Sequence, residues 1–169
     1  ALMLANNETG IIHPIADLAP SARAKGALFL CDAVQAAGKI PVDFQALGVD
    51  YLPLSAHKLY GPKGVGALVV REGAPYVPLL AGGGQERGRR GGTENVAGIV
   101  GFGVAADLAR RMLEAEQPRL ASLRDRFEAE VLAGVPDAEV TGHGQERLPN
   151  TAHLTFPDIP SEALLARLD

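Results

Sequence analysis

The chain has 169 residues, 47% of them hydrophobic, and a formal net charge of −4. That length suits one domain or one and a part, and that composition builds a real core and excludes a disordered chain. Charges of both signs are interspersed with no basic stripe, which argues against a nucleic-acid partner, and no apolar run is long enough for a bilayer, which argues against a membrane.

Leu2-Met3-Leu4-Ala5 is a short apolar run that reads as a buried strand. It enters Asn6-Asn7-Glu8-Thr9-Gly10, a turn-forming cluster in which Asn7, taken alone, reads as a turn amide bonded to its own backbone. Ile15, Leu18, Ala19 and Ala22 are spaced for one face of a helix, with Pro14 near its start and Gly26 past its end. Ala27 to Cys31 is the next strand. Strand, helix and strand make a βαβ unit with a parallel sheet, and the continuous apolar runs agree with strands buried on both faces.

Ala36 to Asp50 is a connector punctuated by Gly38, Pro41 and Gly48. Tyr51 to Leu54 is a strand despite Pro53, which lacks the N–H a ladder needs, so an edge or a bend is expected there. Val65 to Arg71 is a strand folding back on its neighbour. Between the two lies Ser55-Ala56-His57-Lys58-Leu59-Tyr60-Gly61-Pro62-Lys63-Gly64, which puts Lys58 on a loop at the mouth of a strand. A loop lysine by itself is most often merely solvated. Upstream, however, Leu28 to Cys31 ends in Asp32-Ala33-Val34-Gln35. A carboxylate and an amine at two strand ends suit a cofactor that needs one anion and one covalent anchor.

Gly82 to Gly92 is the most glycine-dense stretch and holds Arg87, Arg89 and Arg90. It leads to Thr93, read as the N-cap of a helix whose apolar face starts at Val96, Ile99 and Val100. Exposed backbone N–H groups, arginines and a helix N-terminus make an anion site, although no Gly-Lys-Ser/Thr follows as in a Walker loop. The helical pattern runs to about Glu116, is interrupted by Pro118, and resumes through Leu120, Leu123, Phe127 and Val131 to Gly134. A domain boundary is therefore placed near Pro118. Beyond it, Ala138 to Thr141 and Thr151 to Phe156 read as strands and Ser161 to Leu168 as a helix with Ser161 at its cap. The lone Cys31 can make no internal disulfide, which fits a reducing compartment. The chain starts at Ala1 inside an apolar run and ends at Asp169 inside a helical pattern, so a segment of a longer protein is expected.

Four motifs stand in one order: Asn6 to Gly10, Asp32 to Gln35, Ser55 to Lys58 with Gly61 to Gly64, and Gly82 to Gly88 through Gly92-Thr93. Together they resemble the cysteine desulfurases, within the class V aminotransferase group of pyridoxal-phosphate (PLP) enzymes. The resemblance implies an α/β fold. Residues 1–117 would form the C-terminal half of a PLP-binding large domain, a mostly parallel sheet with flanking helices. Residues 118–169 would begin a small α+β C-terminal domain. It implies PLP as cofactor and no metal. The implied reaction takes sulfur from L-cysteine as an enzyme persulfide and leaves alanine.

The same resemblance implies the residue roles. Lys58 is the covalent anchor and moves protons at the substrate's α-carbon. Asp32 pairs with the pyridinium nitrogen, Gln35 bonds the ring oxygen, and Asn7 lies near that oxygen or the substrate. Ser55 and His57 hold the phosphate, and Thr93 reaches the phosphate in a partner subunit. A cytoplasmic homodimer is implied, with a sulfur-acceptor scaffold as a further partner and iron–sulfur cluster assembly as one pathway. The family's sulfur-accepting cysteine, substrate-carboxylate arginine and ring-stacking histidine have no counterpart between Ala1 and Asp169. Cys31, inside an apolar strand, is read as inert. Two alternatives stay open: another class V PLP enzyme, such as a selenocysteine lyase or an aminotransferase, and an inert PLP-binding or dimerisation module.

Overall fold

The apolar runs become strands and the periodic stretches become helices in the computed structural model, which describes residues 1–168. In chain order the elements are β1 (Leu2–Met3), α1 (Ile15–Ala24), β2 (Cys31–Asp32), α2 (Phe44–Leu47), β3 (Tyr51–Ser55), β4 (Gly66–Val70), α3 (Val96–Gly134), β5 (Glu139–Val140), β6 (Leu154–Thr155) and α4 (Ser161–Leu168). Short 3-10 turns cover Ala56–Leu59 and Gln85–Gly88.

β1 and β2 pair in parallel, Leu2 with Cys31 and Met3 with Asp32, and α1 is the crossover between them. A single parallel bridge between Leu30 and Tyr51 carries the sheet from β2 to β3. β4 then returns antiparallel to β3, with Ser55 opposite Gly66 and Tyr51 opposite Val70. The sheet is therefore mixed. Pro53 faces Leu68 inside the hairpin, so β3 keeps the expected strand through its proline.

α1 has Asp17 in its first turn and Arg23 in its last, the order its dipole favours. Its inward face carries Ile15 and Ala19, which pack with Leu4, Phe29, Cys31, Ala33, Ala36, Val49, Leu52 and Leu148. Ile15, Val49 and Leu148 are fully buried, and each contributes roughly 1.5–3 kcal/mol. Leu148 enters this core from far along the chain. Its N–H donates to Gly10 O at 2.8 Å, and Ile12 N–H donates to Glu146 O at 2.9 Å. Gly10 permits this approach: its φ is +74°, and a Cβ there would lie 2.9 Å from Thr151 Cβ.

Two expectations are corrected in α3. Its N-cap is Asn95 and not Thr93, because Asn95 Oδ1 accepts from Gly98 N–H at 3.1 Å. Thr93 lies in the coil before it. Secondly, the helix does not stop at Pro118: it runs 39 residues from Val96 to Gly134. A mid-helix proline costs ~3 kcal/mol by removing one hydrogen bond and crowding the preceding turn. Good helix formers on both sides and the Arg119–Glu116 ion pair spanning the proline hold the segment helical. Tertiary contacts fix both ends. Near the start, Gly101 lies against Pro62, where a Cβ would come within 2.6 Å of Pro62 Cγ. Near the end, Arg147 Nη1 and Nη2 donate to Glu128 Oε1 and Oε2 at 2.7 and 2.8 Å, and Arg124 Nη1 donates to Leu148 O at 2.8 Å. Along the first half of the helix Val96, Val100, Val104, Leu108 and Met112 form an exposed apolar stripe.

β5 and β6 form a separate antiparallel pair, Glu139 with Thr155 and Val140 with Leu154. Ser161 is the first residue of α4 rather than a flanking cap.

Candidate functional site

The carboxyl ends of the parallel strands carry the chemistry. The loop after β1 holds Asn7, the end of β2 holds Asp32 and Gln35, and the end of β3 holds Ser55, His57 and Lys58. In open α/β sheets this edge is where ligands bind.

The loop after β1 resolves an ambiguity between neighbouring asparagines. Asn6 is the turn amide: its Oδ1 accepts from the N–H groups of Glu8 and Thr9, both at 2.9 Å. Asn7 is exposed, and its side chain makes no hydrogen bond among the described residues. It is thus free of the local bond that its sequence context offered.

Asp32 ends β2 half-buried. Its Oδ1 accepts from Val34 N–H at 2.9 Å, which turns the chain, while Oδ2 has no partner among the described residues. Cys31 beside it is fully buried, and burial followed by the charge of Asp32 pushes its thiol up to about 11. The turn after Asp32 is closed by Ala36 and Ala37 N–H donating to Ala33 O, both at 3.0 Å. Gly38 follows at φ +74°, and a Cβ on it would fall 2.5 Å from Leu59 Cδ2 and 3.2 Å from Ala109 Cβ. That close approach packs the turn of Gln35 against the turn of Lys58 and against α3.

Lys58 sits half-buried in the 3-10 turn, between buried Ala56 and Leu59. The turn closes through Gly61 N–H to Ala56 O at 2.9 Å, with Tyr60 in the left-handed region at φ 61°. Ser55 Oγ and His57 Nδ1 lie 2.8 Å apart. In either neutral tautomer this pair keeps one donor facing outward, the serine hydroxyl or the Nε2–H.

One residue of this site is missed by the sequence reading. Lys39 Nζ donates to Gln35 O at 2.9 Å and to Gln35 Oε1 at 3.2 Å. Burial and then the charge of Lys58 lower its pKa, so the two amines share one neighbourhood. The available signal was the spacing Gln35 to Lys39 across a glycine, which reads as an ordinary connector without the packing of Gly38 on Leu59.

The glycine-rich stretch lies apart. Its cavity of about 680 Å³ is lined by Arg87, Arg89, Arg90, Glu86 and Glu94 with residues of β4 and α3, and none of the strand-end residues lines it. Arg90 Nη1 donates to the carbonyls of Gly92 and Thr93 at 3.1 and 3.3 Å. Glu86 and Glu94 share the space with the arginines, so it is less purely an anion site than the sequence predicts. Asp32 and Gln35 thus follow β2, Ser55, His57 and Lys58 follow β3, Asn7 follows β1, and Thr93 lies apart from these strand ends, in the coil before α3.

An amine, a carboxylate, an amide and a hydroxyl–imidazole pair at the strand ends of an α/β domain are groups chemically suited to an anionic, carbonyl-bearing ligand. The chain belongs to the class-V aminotransferase family, whose model matches residues 1–169. It is 54% identical over 165 residues to a cysteine desulfurase of Gluconacetobacter diazotrophicus, covering 98% of this chain and 41% of the relative. It is 50% identical over 169 residues to the cysteine desulfurase NifS of Azotobacter vinelandii, covering 100% of this chain and 42% of the relative. Among solved structures, a NifS-like protein from Rickettsia africae superposes with a TM-score of 0.92 at 34% identity, over 98% of this chain and 46% of that one. The chain therefore spans less than half the length of these relatives. Members of the family are PLP-dependent. The donor set fits that cofactor: Lys58 for its aldehyde, unpartnered Asp32 Oδ2 for its ring nitrogen, Gln35 for its ring oxygen, and the Ser55–His57 pair for its phosphate.

Proposed function

We propose that this chain carries the cofactor-anchoring part of a PLP-dependent cysteine desulfurase, which takes the sulfur of L-cysteine as an enzyme persulfide and leaves alanine. What supports the reading is the placement of Asp32 at the carboxyl end of β2 and of Ser55, His57 and Lys58 at the carboxyl end of β3, strands joined in parallel by the Leu30–Tyr51 bridge. When bound, PLP supplies an electron sink for the substrate's α-carbon. Lys58 anchors the cofactor through its Nζ and then moves the proton at that carbon. Asp32 Oδ2 holds the proton of the ring nitrogen. Ser55 and His57 donate to the phosphate, where several short donors act at once. Gln35 donates to the ring oxygen and Asn7 orients the same edge. Thr93, placed before α3, suits a contact across a subunit interface. The sulfur acceptor in this reading is not Cys31, whose buried, high-pKa thiol is a poor nucleophile.

The reading extends to a cytoplasmic homodimer that passes sulfur to a scaffold protein, as in iron–sulfur cluster assembly. The exposed stripe from Val96 to Met112 is the kind of surface a subunit contact buries. The reading places its division at residue 117, within α3, which crosses it unbroken, and Leu148 beyond it packs with Ile15 and Val49. Among the described residues no helix is long and apolar enough to cross a membrane.

The test is addition of PLP to the chain, followed by borohydride. Yellow colour fixed at Lys58, located by peptide mass and lost in Lys58→Ala, supports the reading. A chain that stays colourless, or that is labelled equally with and without Lys58, overturns it and leaves the inert-module reading.

A further inference from the structure

Gln35 can serve a ligand in two opposite ways, because its carboxamide has an acceptor end and a donor end. Which end is available depends on what holds the other. Lys39 settles this. An ammonium can only donate, so its 3.2 Å contact must fall on the amide oxygen. Its second bond, 2.9 Å to Gln35 O, ties the same ammonium to the backbone of the same residue. The amide nitrogen has no hydrogen-bond partner among the described residues. The clamp spans four positions of a tight turn. Gly38, at φ +74° and pressed on Leu59, fixes the turn beside Lys58. Lys39 is half-buried, so the contact is shielded from competing water.

We propose that Lys39 is a positioning residue. Its ammonium holds the Gln35 carboxamide by the oxygen and presents the –NH2 end, as a donor, to an anionic oxygen of the ligand held at the Lys58 turn. The role of that ligand as PLP rests on the function proposed above; the orientation of Gln35 does not. A positive charge behind the amide also polarises it, which strengthens the donor at the far end. The lowered pKa of Lys39, from burial and from Lys58, agrees with two amines crowded at one site.

Two measurements test this. The first needs no cofactor: the heteronuclear NOE of the Gln35 side-chain amide in the 15N-labelled chain, with its signal assigned by loss in Gln35→Glu. In the unaltered chain this group is expected to be as ordered as the backbone. In Lys39→Met it should fall to the level of exposed glutamines, and Lys39→Arg should restore it. A mobile Gln35 amide in the unaltered chain overturns the proposal, and that result stands even where Lys39→Met does not fold. An ordered amide that Lys39→Met leaves unchanged overturns it equally. The second is a PLP titration followed by absorbance. Loss of one oriented donor should weaken binding about five- to tenfold in Lys39→Met, with Lys39→Arg within about twofold of the unaltered chain. Equal affinity in Lys39→Met refutes the positioning role. A chain that binds no PLP while its Gln35 amide still follows Lys39 refutes the cofactor reading and supports the clamp.

Discussion

The Glu128–Arg147 pair offers the most direct energetic test of this fold. Both side chains are nearly buried, 9% and 8% exposed, and they meet through two parallel hydrogen bonds of 2.7 and 2.8 Å. Exposed pairs are worth about 0–1 kcal/mol, since water screens them and side-chain entropy opposes them. This pair is different because deleting one partner strands the other charge away from water, at a cost of about 3–5 kcal/mol. The affected region matters as well. Arg147 bridges to Ile11, and Leu148 next to it lies in the core, so the pair pins the loop of Asn7 to α3. Against a total stability of about 5–15 kcal/mol, Glu128→Gln should remove a large fraction. At roughly 2–4 °C per kcal/mol for a chain this long, the melting temperature should drop by about 6–20 °C. Calorimetry or urea melts of Glu128→Gln, Arg147→Met and the double variant give the numbers. The double variant should lose less than the two single losses added, because it leaves no orphaned charge. A Glu128→Gln chain within about 1 kcal/mol of the unaltered one, or strict additivity in the double, would refute the reasoning.

Three further outcomes follow from the same geometry. Cys31, raised from 9.0 to about 11, should react with a disulfide reagent about a hundredfold more slowly in the folded chain than in urea; comparable rates would contradict its burial. Asp50 is pushed up by burial, but the Phe29 N–H, Arg71 and Arg23 together outweigh this and hold its carboxyl below 3.8. A depressed folded pKa stabilises fully above the unfolded value and loses that stabilisation as pH falls through the folded one. Asp50→Asn should therefore be less stable than the unaltered chain at pH 7 and converge with it in acid, as urea melts across that range would show. Gly38→Ala combines φ +74° with a Cβ 2.5 Å from Leu59 Cδ2, so a loss of roughly 1–3 kcal/mol is expected, with weaker PLP uptake as the Lys58 turn shifts.

The strand-end chemistry was legible because strands announce themselves as apolar runs and their ends as polar punctuation. The positions of Lys58 after Tyr51–Leu54 and of Asp32 after Leu28–Cys31 were readable in this way, while the roles given to them came only from the family resemblance. What sequence could not order was competition between near-equal neighbours. Asn6 and Asn7 are both turn formers, and only the chain's path shows that Asn6 takes the local bonds. Thr93 and Asn95 are both capable caps, and the helix begins after the second. Pro118 breaks most helices on local grounds, but here contacts at Gly101 and Glu128 fix the rod on either side. Lys39 was invisible for a related reason: its partner lies four residues back, and what makes that contact matter is packing from Leu59 and Ala109.

The unbroken α3 has a mechanical meaning. At ~1.5 Å per residue it is a strut roughly 58 Å long, braced at one end by the turn that bears Lys58 and at the other by the segment that steadies Asn7. Removing a single residue between Ala109 and Arg124 would twist the far brace by about 100°, so that Glu128 faced away from Arg147. Adding four would turn it by about 400°, bringing the facing side back to within about 40° but about 6 Å farther along the axis. The relative placement of the Lys58 turn and the Asn7 loop is thus metered by helical pitch, and length changes in this stretch should be tolerated worst where they fall between whole turns.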